Sequence, residues 1–231
     1  MKRICTICVR GGSKGLPGKN MRPLLGKPLL AWTVEQAKRS GLFDCIAVSS
    51  DSPELLAIGR QAGADETIDR PAELASDTAG KLPAIVHAVT AVETRRGTRF
   101  DMIVEMDATA PLRLNADITG AVALAEAHAP ANVITGSPAH RSPYFNLVER
   151  AGDGHVRLVR PGAFLRRQDA PACFDMNASI YVWPRDRFMA EPKVFYDDTL
   201  LFEMPTERSH DIDSALDFEI VELLMRRLTA G

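Results

Sequence analysis

Long hydrophobic runs are missing from this chain of 231 residues, and none approaches the roughly 18 apolar residues that a membrane-spanning helix needs. Met1-Lys2-Arg3 leads only into the short apolar stretch 4–9, which ends in glycines and charge and so differs from a secretory leader. No membrane association is expected, and the cytoplasm is the expected location. An excess of one charge is missing too: 28 Lys and Arg stand against 30 Asp and Glu, for a net charge of −2. That balance argues against a general nucleic-acid binder, so positive charge, where it clusters, has a local purpose. Cysteine is scarce, with Cys5, Cys8, Cys45 and Cys173 the only four. Cys5 and Cys8 form a CxxC inside a β-branched strand pattern rather than at a helix start, and no two further zinc ligands stand at suitable spacing. Buried, reduced thiols are the expectation. The five histidines show no ligand spacing, and there is no internal repeat, low-complexity tract or coiled coil.

What is present is an ordinary core-forming composition, 45% hydrophobic and 25% charged. Strand-like runs at Ile4–Val9, Cys45–Ser49, Met102–Met106 and Asn132–Thr135 alternate with helical patterns at Leu29–Ser40, Pro53–Ala62, Leu82–Thr94 and Ala116–His128. Alternation of this kind predicts parallel βαβ units with helices on both faces of the sheet. From Ser137 to Phe174 the character changes to Arg, Pro and short strand-like pieces, read as a β arm inserted outside the main sheet. A core strand resumes at NASIYVW (177–183), and Ala215–Leu228 reads as a closing helix. The chain is thus expected to be one domain, 1–231, with 137–174 as an inserted arm.

In such sheets ligands bind beyond the carboxyl ends of the strands, where RGGSKGLPGKN (10–20), SSDSPE and DATAPLR follow the first strands. Gly11, Gly12, Gly15 and Gly18 let backbone N–H groups approach an anion, while Arg10, Lys14 and Lys19 supply charge-assisted contacts to phosphate. The spacing fits neither a Walker A loop nor GxGxxG. A triphosphate is the expected ligand. Near the other end of the chain, Asp211 and Asp213 sit at i and i+2 of an extended segment and so face one way, which suits one hard cation such as Mg²⁺. N-capping of the last helix by Asp213 or Ser214 is the alternative use of that segment.

RGGSKGLPGKN followed by KPLLAWT resembles the opening motif of the acylneuraminate cytidylyltransferases, the CMP-sialic acid synthetases. The resemblance continues in order through SSD (49–51), RPAELASDTA (70–79), PLR (111–113), NASIY (177–181) and DID (211–213). It implies an α/β, three-layer Rossmann-like nucleotidyltransferase fold with a mostly parallel sheet, whose inserted β arm exchanges across a homodimer. It implies an enzyme that joins CTP to the anomeric hydroxyl of an acidic nine-carbon sugar with release of pyrophosphate. By the same resemblance Arg10, Gly11, Gly12, Ser13, Lys14, Lys19, Asn20, Arg70 and Ala79 bind the nucleotide, with Arg10, Lys14, Lys19 and Asp211 catalytic. Asp107, Arg113, Arg167, Gln168 and Asn177 are the implied sugar contacts, with Arg166 beside them, and Asp211 and Asp213 the metal ligands.

Two segments depart from the family pattern. MDATAPLR stands where the family reads more like LQPTSPLR, placing Asp107 for glutamine and Ala110 for serine, and Asp175 stands where arginine is common before NGAIY. A carboxylate cannot donate as glutamine does, so either Asp107 contacts the sugar differently or it assists the metal. These departures point away from N-acetylneuraminate toward a related acid such as legionaminic or pseudaminic acid, used for lipopolysaccharide, capsule or flagellar glycans. CMP-Kdo synthetase is the nearest alternative, although that family carries a QGDEP-like element where this chain has DATAP. A non-catalytic nucleotide-binding regulator is an alternative of another class, and the intact Lys14, Lys19, Asp211 and Asp213 speak against it.

Overall fold

The computed structural model describes residues 1–12, 15–76, 79–129, 131–162, 164 and 166–229, with the backbone alone for Arg167. The sheet grows outward from β1 (Arg3–Cys8), whose Ile4, Cys5, Thr6 and Ile7 are all fully buried. A run with no polar alternation is what a strand covered on both faces requires. β1 pairs in parallel with β4 (Cys45–Ser50) on one side and β6 (Met102–Met106) on the other, and β5 (Glu66–Asp69) extends the β4 edge. Between them a two-stranded turn of β2 (Pro23–Leu24) and β3 (Lys27–Pro28) feeds α1 (Leu29–Ser40).

The far half of the sheet differs from simple βαβ succession. β7 (Val133–Pro138) does not lie beside β6. β10 (Phe174–Pro184) runs between them, antiparallel to both, and β11 (Leu200–Glu203) closes the edge parallel to β7. The order is β11-β7-β10-β6-β1-β4-β5. The reason is topological: β7 leaves the sheet at its carboxyl end and the chain returns through the inserted arm, so the next strand must run backwards. The main-sheet pairs reach Phe174 opposite Pro138 and Asp175 opposite Ser137. The segment between these pairs, 139–173, lies outside the main sheet. It carries its own hairpin, β8 (Val148–Arg150) with β9 (Val156–Leu158), which leaves Val148 and Val156 exposed.

Helices α1, α2 (Pro53–Ala62) and α4 (Asn115–Ala127) cover one face through Leu30, Val34, Leu55, Ile118 and Val122. On the other face, α3 (Lys81–Arg96) and α5 (Arg185–Ala190) pack Ile85, Val89 and Phe188 against Ile4, Cys45 and Trp183. α6 (Ala215–Thr229) forms a third cluster with Leu16, Leu24, Leu29 and Leu112 through Phe218, Val221 and Met225. The three-layer, mostly parallel architecture is the expected one. All four cysteines are free, and burial pushes the Cys45 thiol up to about 12, which leaves it unreactive.

β10 carries one backbone irregularity. Its register against β7 shifts between Met176 and Tyr181, and within that interval Ala178 holds φ +51. This left-handed conformation costs a residue with a Cβ about 1–2 kcal/mol, less for glycine. Ala178→Gly is therefore expected to stabilise the fold by about 0.5–1 kcal/mol, read as a rise of about 1–4 °C in melting temperature. A lower melting temperature would show that the methyl contacts outweigh the strain.

Candidate active site

The loop after β1 is held by the turn after β4. Val9 N–H donates to the Ser49 carbonyl at 3.0 Å, and Gly11 N–H donates to Asp51 Oδ1 at 2.9 Å. A Cβ on Gly11 would stand 3.2 Å from that of Ser52, so the loop lies directly on the turn. Asn20 is buried and donates to the Arg10 carbonyl at 3.3 Å, while its Oδ1 has no hydrogen-bond partner among the described residues. Arg70, next in the chain after β5, is buried too and grips the same turn, Nη2 to the Ser49 carbonyl at 2.6 Å and Nε to Ser49 Oγ at 3.2 Å. A pocket of about 210 Å³ opens here, lined by Arg10, Arg70, Ala79, Lys81 and Cys8. Three of the residues expected at the nucleotide thus share one cavity. Ser13 and Lys14 lie outside the described residues.

The acidic tail meets this loop from the far end of the chain. Ile212 is fully buried against Leu16, Leu24 and Leu112, and its N–H donates to the Thr109 carbonyl at 3.0 Å. Of its two neighbours, Asp211 is half-buried and Asp213 is exposed. Lys19 Nζ donates to the Ile212 carbonyl at 2.6 Å and to Asp213 Oδ1 at 3.1 Å. A Cβ built on Gly15 would come within 2.2 Å of the Asp213 carbonyl oxygen, so glycine alone fits there. The cap of α6 is supplied by Ser214 and Asp217. Asp217 Oδ2 accepts from the N–H groups of Asp213 and Ser214 at 3.1 and 2.7 Å, and Asp217 N–H donates to Ser214 Oγ at 3.2 Å. Asp213 is therefore not spent on capping. Asp211 Oδ1 is buried with no hydrogen-bond partner among the described residues, and burial raises its carboxyl above the usual range although the Thr109 hydroxyl opposes this. A hard, desolvated oxygen of this kind is suited to a cation.

At the carboxyl end of β6, Glu105 is wholly buried. Its oxygens accept from Thr6 Oγ1 at 2.5 Å and Cys8 N–H at 3.2 Å, and burial raises its carboxyl. Asp107 accepts from Lys81 Nζ at 2.7 Å and from the Thr109 hydroxyl at 3.1 Å. Burial opposes ionisation of Asp107, but the adjacent Lys81 ammonium wins and holds its carboxyl below the usual range.

Three of the residues expected at the sugar stand in different surroundings. Arg113 is 1% exposed and donates to the carbonyls of Asp107 and Ala110, bracing the DATAPLR loop from beneath; burial lowers its pKa to about 10. Asn177 is buried with its amide engaged on both sides. It accepts from Thr135 Oγ1 at 2.7 Å and donates to Ser209 Oγ at 3.0 Å, so it ties β7 to the segment leading to Asp211. Gln168 lines a separate cavity of about 370 Å³ with Arg141, Phe174 and Glu203, apart from the nucleotide pocket. Of Arg167 only the backbone is described. A larger cavity of about 500 Å³ between α1 and α6 is lined by Trp32, Leu112 and Met225. It contains none of the loop cations or tail carboxylates.

Sequence reasoning missed Asp51, Lys81 and Glu105. A charged residue in the apolar run MIVEM was the available signal for Glu105. Lys81 follows the RPAELASDTAG block directly and could have been weighed with it.

The chain matches the cytidylyltransferase family over residues 4–220 and belongs to it. It is a nucleotidyltransferase enzyme. It is 44% identical over 223 residues to the post-translational flagellin modification protein B of Campylobacter coli, covering 96% of this chain and 94% of that one. It is 42% identical over 222 residues to the CMP-N,N'-diacetyllegionaminic acid synthase of Campylobacter jejuni, with the same coverage, 96% and 94%. Among solved structures, a CMP:2-keto-3-deoxy-manno-octonic acid synthetase in complex with CTP superposes with a TM-score of 0.70 at 15% identity, over 99% of this chain and 100% of that one. At that identity the likeness speaks for the fold alone.

The contact between Gly15 and the tail generates a direct prediction. Gly15→Ala is expected to displace the Asp211–Asp213 segment and lower kcat/KM by about 10–100-fold, with secondary structure by circular dichroism unchanged. Wild-type kinetics in this variant would mean that loop and tail do not act together.

Proposed function

We propose that this protein condenses CTP with a nonulosonic acid of the N,N'-diacetyllegionaminic type, releasing pyrophosphate and forming the CMP-sugar. The observation that carries this reading is the junction of Lys19 and Gly15 with the Ile212–Asp213 segment, beside the pocket of Arg10, Arg70 and Ala79. It joins a cationic phosphate loop to two carboxylates at the carboxyl edge of one sheet. The relative named as a CMP-N,N'-diacetyllegionaminic acid synthase, matched nearly end to end, supports the choice of sugar class.

In this mechanism Arg10, Lys14 and Lys19, with the backbone N–H groups of Gly11 and Gly12 and the side chain of Ser13, hold the triphosphate. Asn20 serves the ribose, and Arg70 with the backbone at Ala79 serves the base. Asp211 and Asp213 are the ligands for Mg²⁺, and the unpartnered Oδ1 of Asp211 fits a hard cation. Such an ion supplies positive charge to phosphoryl oxygens. The sugar's C2 hydroxyl attacks the α-phosphorus in line and loses its proton to solvent, the bond from that phosphorus to the α,β-bridging oxygen breaks, and pyrophosphate leaves toward the loop cations. Positioning and charge neutralisation account for most of the rate in such a reaction.

The arm completes the sugar pocket of a partner subunit in a homodimer, with Arg167 and Gln168 as contacts in trans. The exposed Val148 and Val156 of its hairpin and the separation of Gln168 from the nucleotide pocket of its own chain support this. The enzyme works in the cytoplasm, with no nucleic-acid or membrane partner, and none of the described helices is long and apolar enough to cross a membrane.

A pyrophosphate-release assay with CTP and Mg²⁺ tests the reading across N,N'-diacetyllegionaminate, pseudaminate, N-acetylneuraminate and Kdo. The diacetyllegionaminate is expected to give the highest kcat/KM, and Asp211→Ala to lower kcat by roughly 100-fold or more. Preference for Kdo would instead favour the CMP-Kdo synthetase reading. Absence of turnover with every acid would favour a nucleotide-binding regulator.

A further inference from the structure

The function above gives Lys81 no role, yet its ammonium stands at the centre of the most highly charged part of the cleft. Lys81 is the first residue of α3, and its Nζ lies 2.7 Å from Asp107 Oδ2, 3.5 Å from Glu105 Oε1 and 4.9 Å from the centroid of the Tyr181 ring. Burial works against its charge, but Asp107 and Glu105 outweigh that and keep the ammonium protonated. The neighbouring carboxylate oxygens are each accounted for. Glu105 Oε2 takes the Thr6 hydroxyl and Oε1 takes Cys8 N–H with Lys81; Asp107 Oδ1 takes the N–H and hydroxyl of Thr109, and Oδ2 takes Lys81. Thr109 separates this group from Asp211, whose Oδ1 has no such partner. The acidic groups along this edge thus differ in kind. Every oxygen of Asp107 and Glu105 has a donor from the chain itself, and Asp211 Oδ1 has none among the described residues.

We propose that the Lys81 ammonium is a resident cation that takes the position a divalent ion would otherwise occupy between Asp107 and Glu105, so that Asp107 ligates no metal. On this account the site draws its Mg²⁺ to Asp211 and Asp213 alone, a point that rests on the metal role given to that pair above. Magnesium demands near-octahedral oxygen geometry and sheds water reluctantly. The Asp107 and Glu105 oxygens that face this position are already engaged by the Lys81 ammonium and are not open to it. A covalently tethered ammonium delivers positive charge to the same place with no binding equilibrium, and the face of Tyr181 adds a second attraction. The departure of Asp107 from the glutamine of the family pattern thereby finds its counterpart in Lys81: a new carboxylate beside a cation built into the chain.

The test counts metal ions rather than turnovers. Mn²⁺ is titrated into the full-length protein in the presence of a non-hydrolysable α,β-methylene CTP, and free Mn²⁺ is read by electron paramagnetic resonance. Wild type and Asp107→Asn are expected to bind equal numbers of Mn²⁺. Lys81→Met is expected to bind one more per chain, and Lys81→Met/Asp107→Asn to lose that extra ion. One ion fewer in Asp107→Asn than in wild type would overturn the proposal, as would no gain in a folded Lys81→Met. Should Lys81→Met fail to fold, the comparison of Asp107→Asn with wild type decides alone. Absence of any bound Mn²⁺ in wild type would instead refute the metal role of Asp211 and Asp213, and the inference with it. The sugar assignment is read separately by pyrophosphate release.

Discussion

One lysine ties together two ends of the chain. Lys19, in the loop that leaves the first strand, donates to the Ile212 carbonyl and Asp213 carboxylate almost two hundred residues later. The energy of this contact is small. Asp213 is 80% exposed, and an ion pair so open to water contributes about 0–1 kcal/mol. Ile212, wholly buried in the α6 cluster, is the stronger anchor, worth roughly 1.5–3 kcal/mol. Packing therefore decides where the tail lies, and Lys19 decides how its carbonyl and carboxylate face the loop. Gly15, pressed against the Asp213 carbonyl, leaves no slack between the two. The relative position of loop and tail is set by the core beneath them.

Other residues extend the same logic around the cleft. Asp51 holds Gly11, and Arg70 holds the turn that carries Asp51. Arg113 braces the loop between Asp107 and Ala110 from below, and Asn177 bridges β7 to Ser209 just before the tail. Arg70 and Asn177 are buried polar side chains held by backbone or hydroxyl partners, as burial demands, whereas Arg113 keeps one buried nitrogen, Nη1, without a partner among the described residues. Around the cleft they leave open the pocket of Arg10, Arg70 and Ala79, with Asn20 Oδ1, Arg113 Nη1 and Asp211 Oδ1 buried and without a hydrogen-bond partner among the described residues.

Much of this was legible in the sequence. The helices of the first half were readable because their apolar period is strong and their ends are marked, as where Ser52 caps α2 ahead of Pro53. The glycine loop and the DID pair were readable because few other uses explain those residue types in that order. The insertion of β10 between β6 and β7 was not, since strand direction depends on where the arm returns the chain. Short charged strands such as Glu66–Asp69 carry too little hydrophobic pattern to announce themselves. Arg113 and Asn177 were recognised within family motifs, but motif membership does not say whether a side chain faces ligand or core. Lys81, Glu105 and Asp107 meet only through tertiary packing of α3 on β6, which no local spacing encodes.

The central claim is that the loop cations and the tail carboxylates act on one triphosphate. A crystal structure with CTP and Mn²⁺, phased to show the anomalous signal of manganese, addresses it most directly. The account predicts manganese bound to Asp211 and to an oxygen of the same triphosphate that Lys19 and Arg10 contact. Manganese away from the tail, or CTP seated with its phosphates away from the loop, would contradict it.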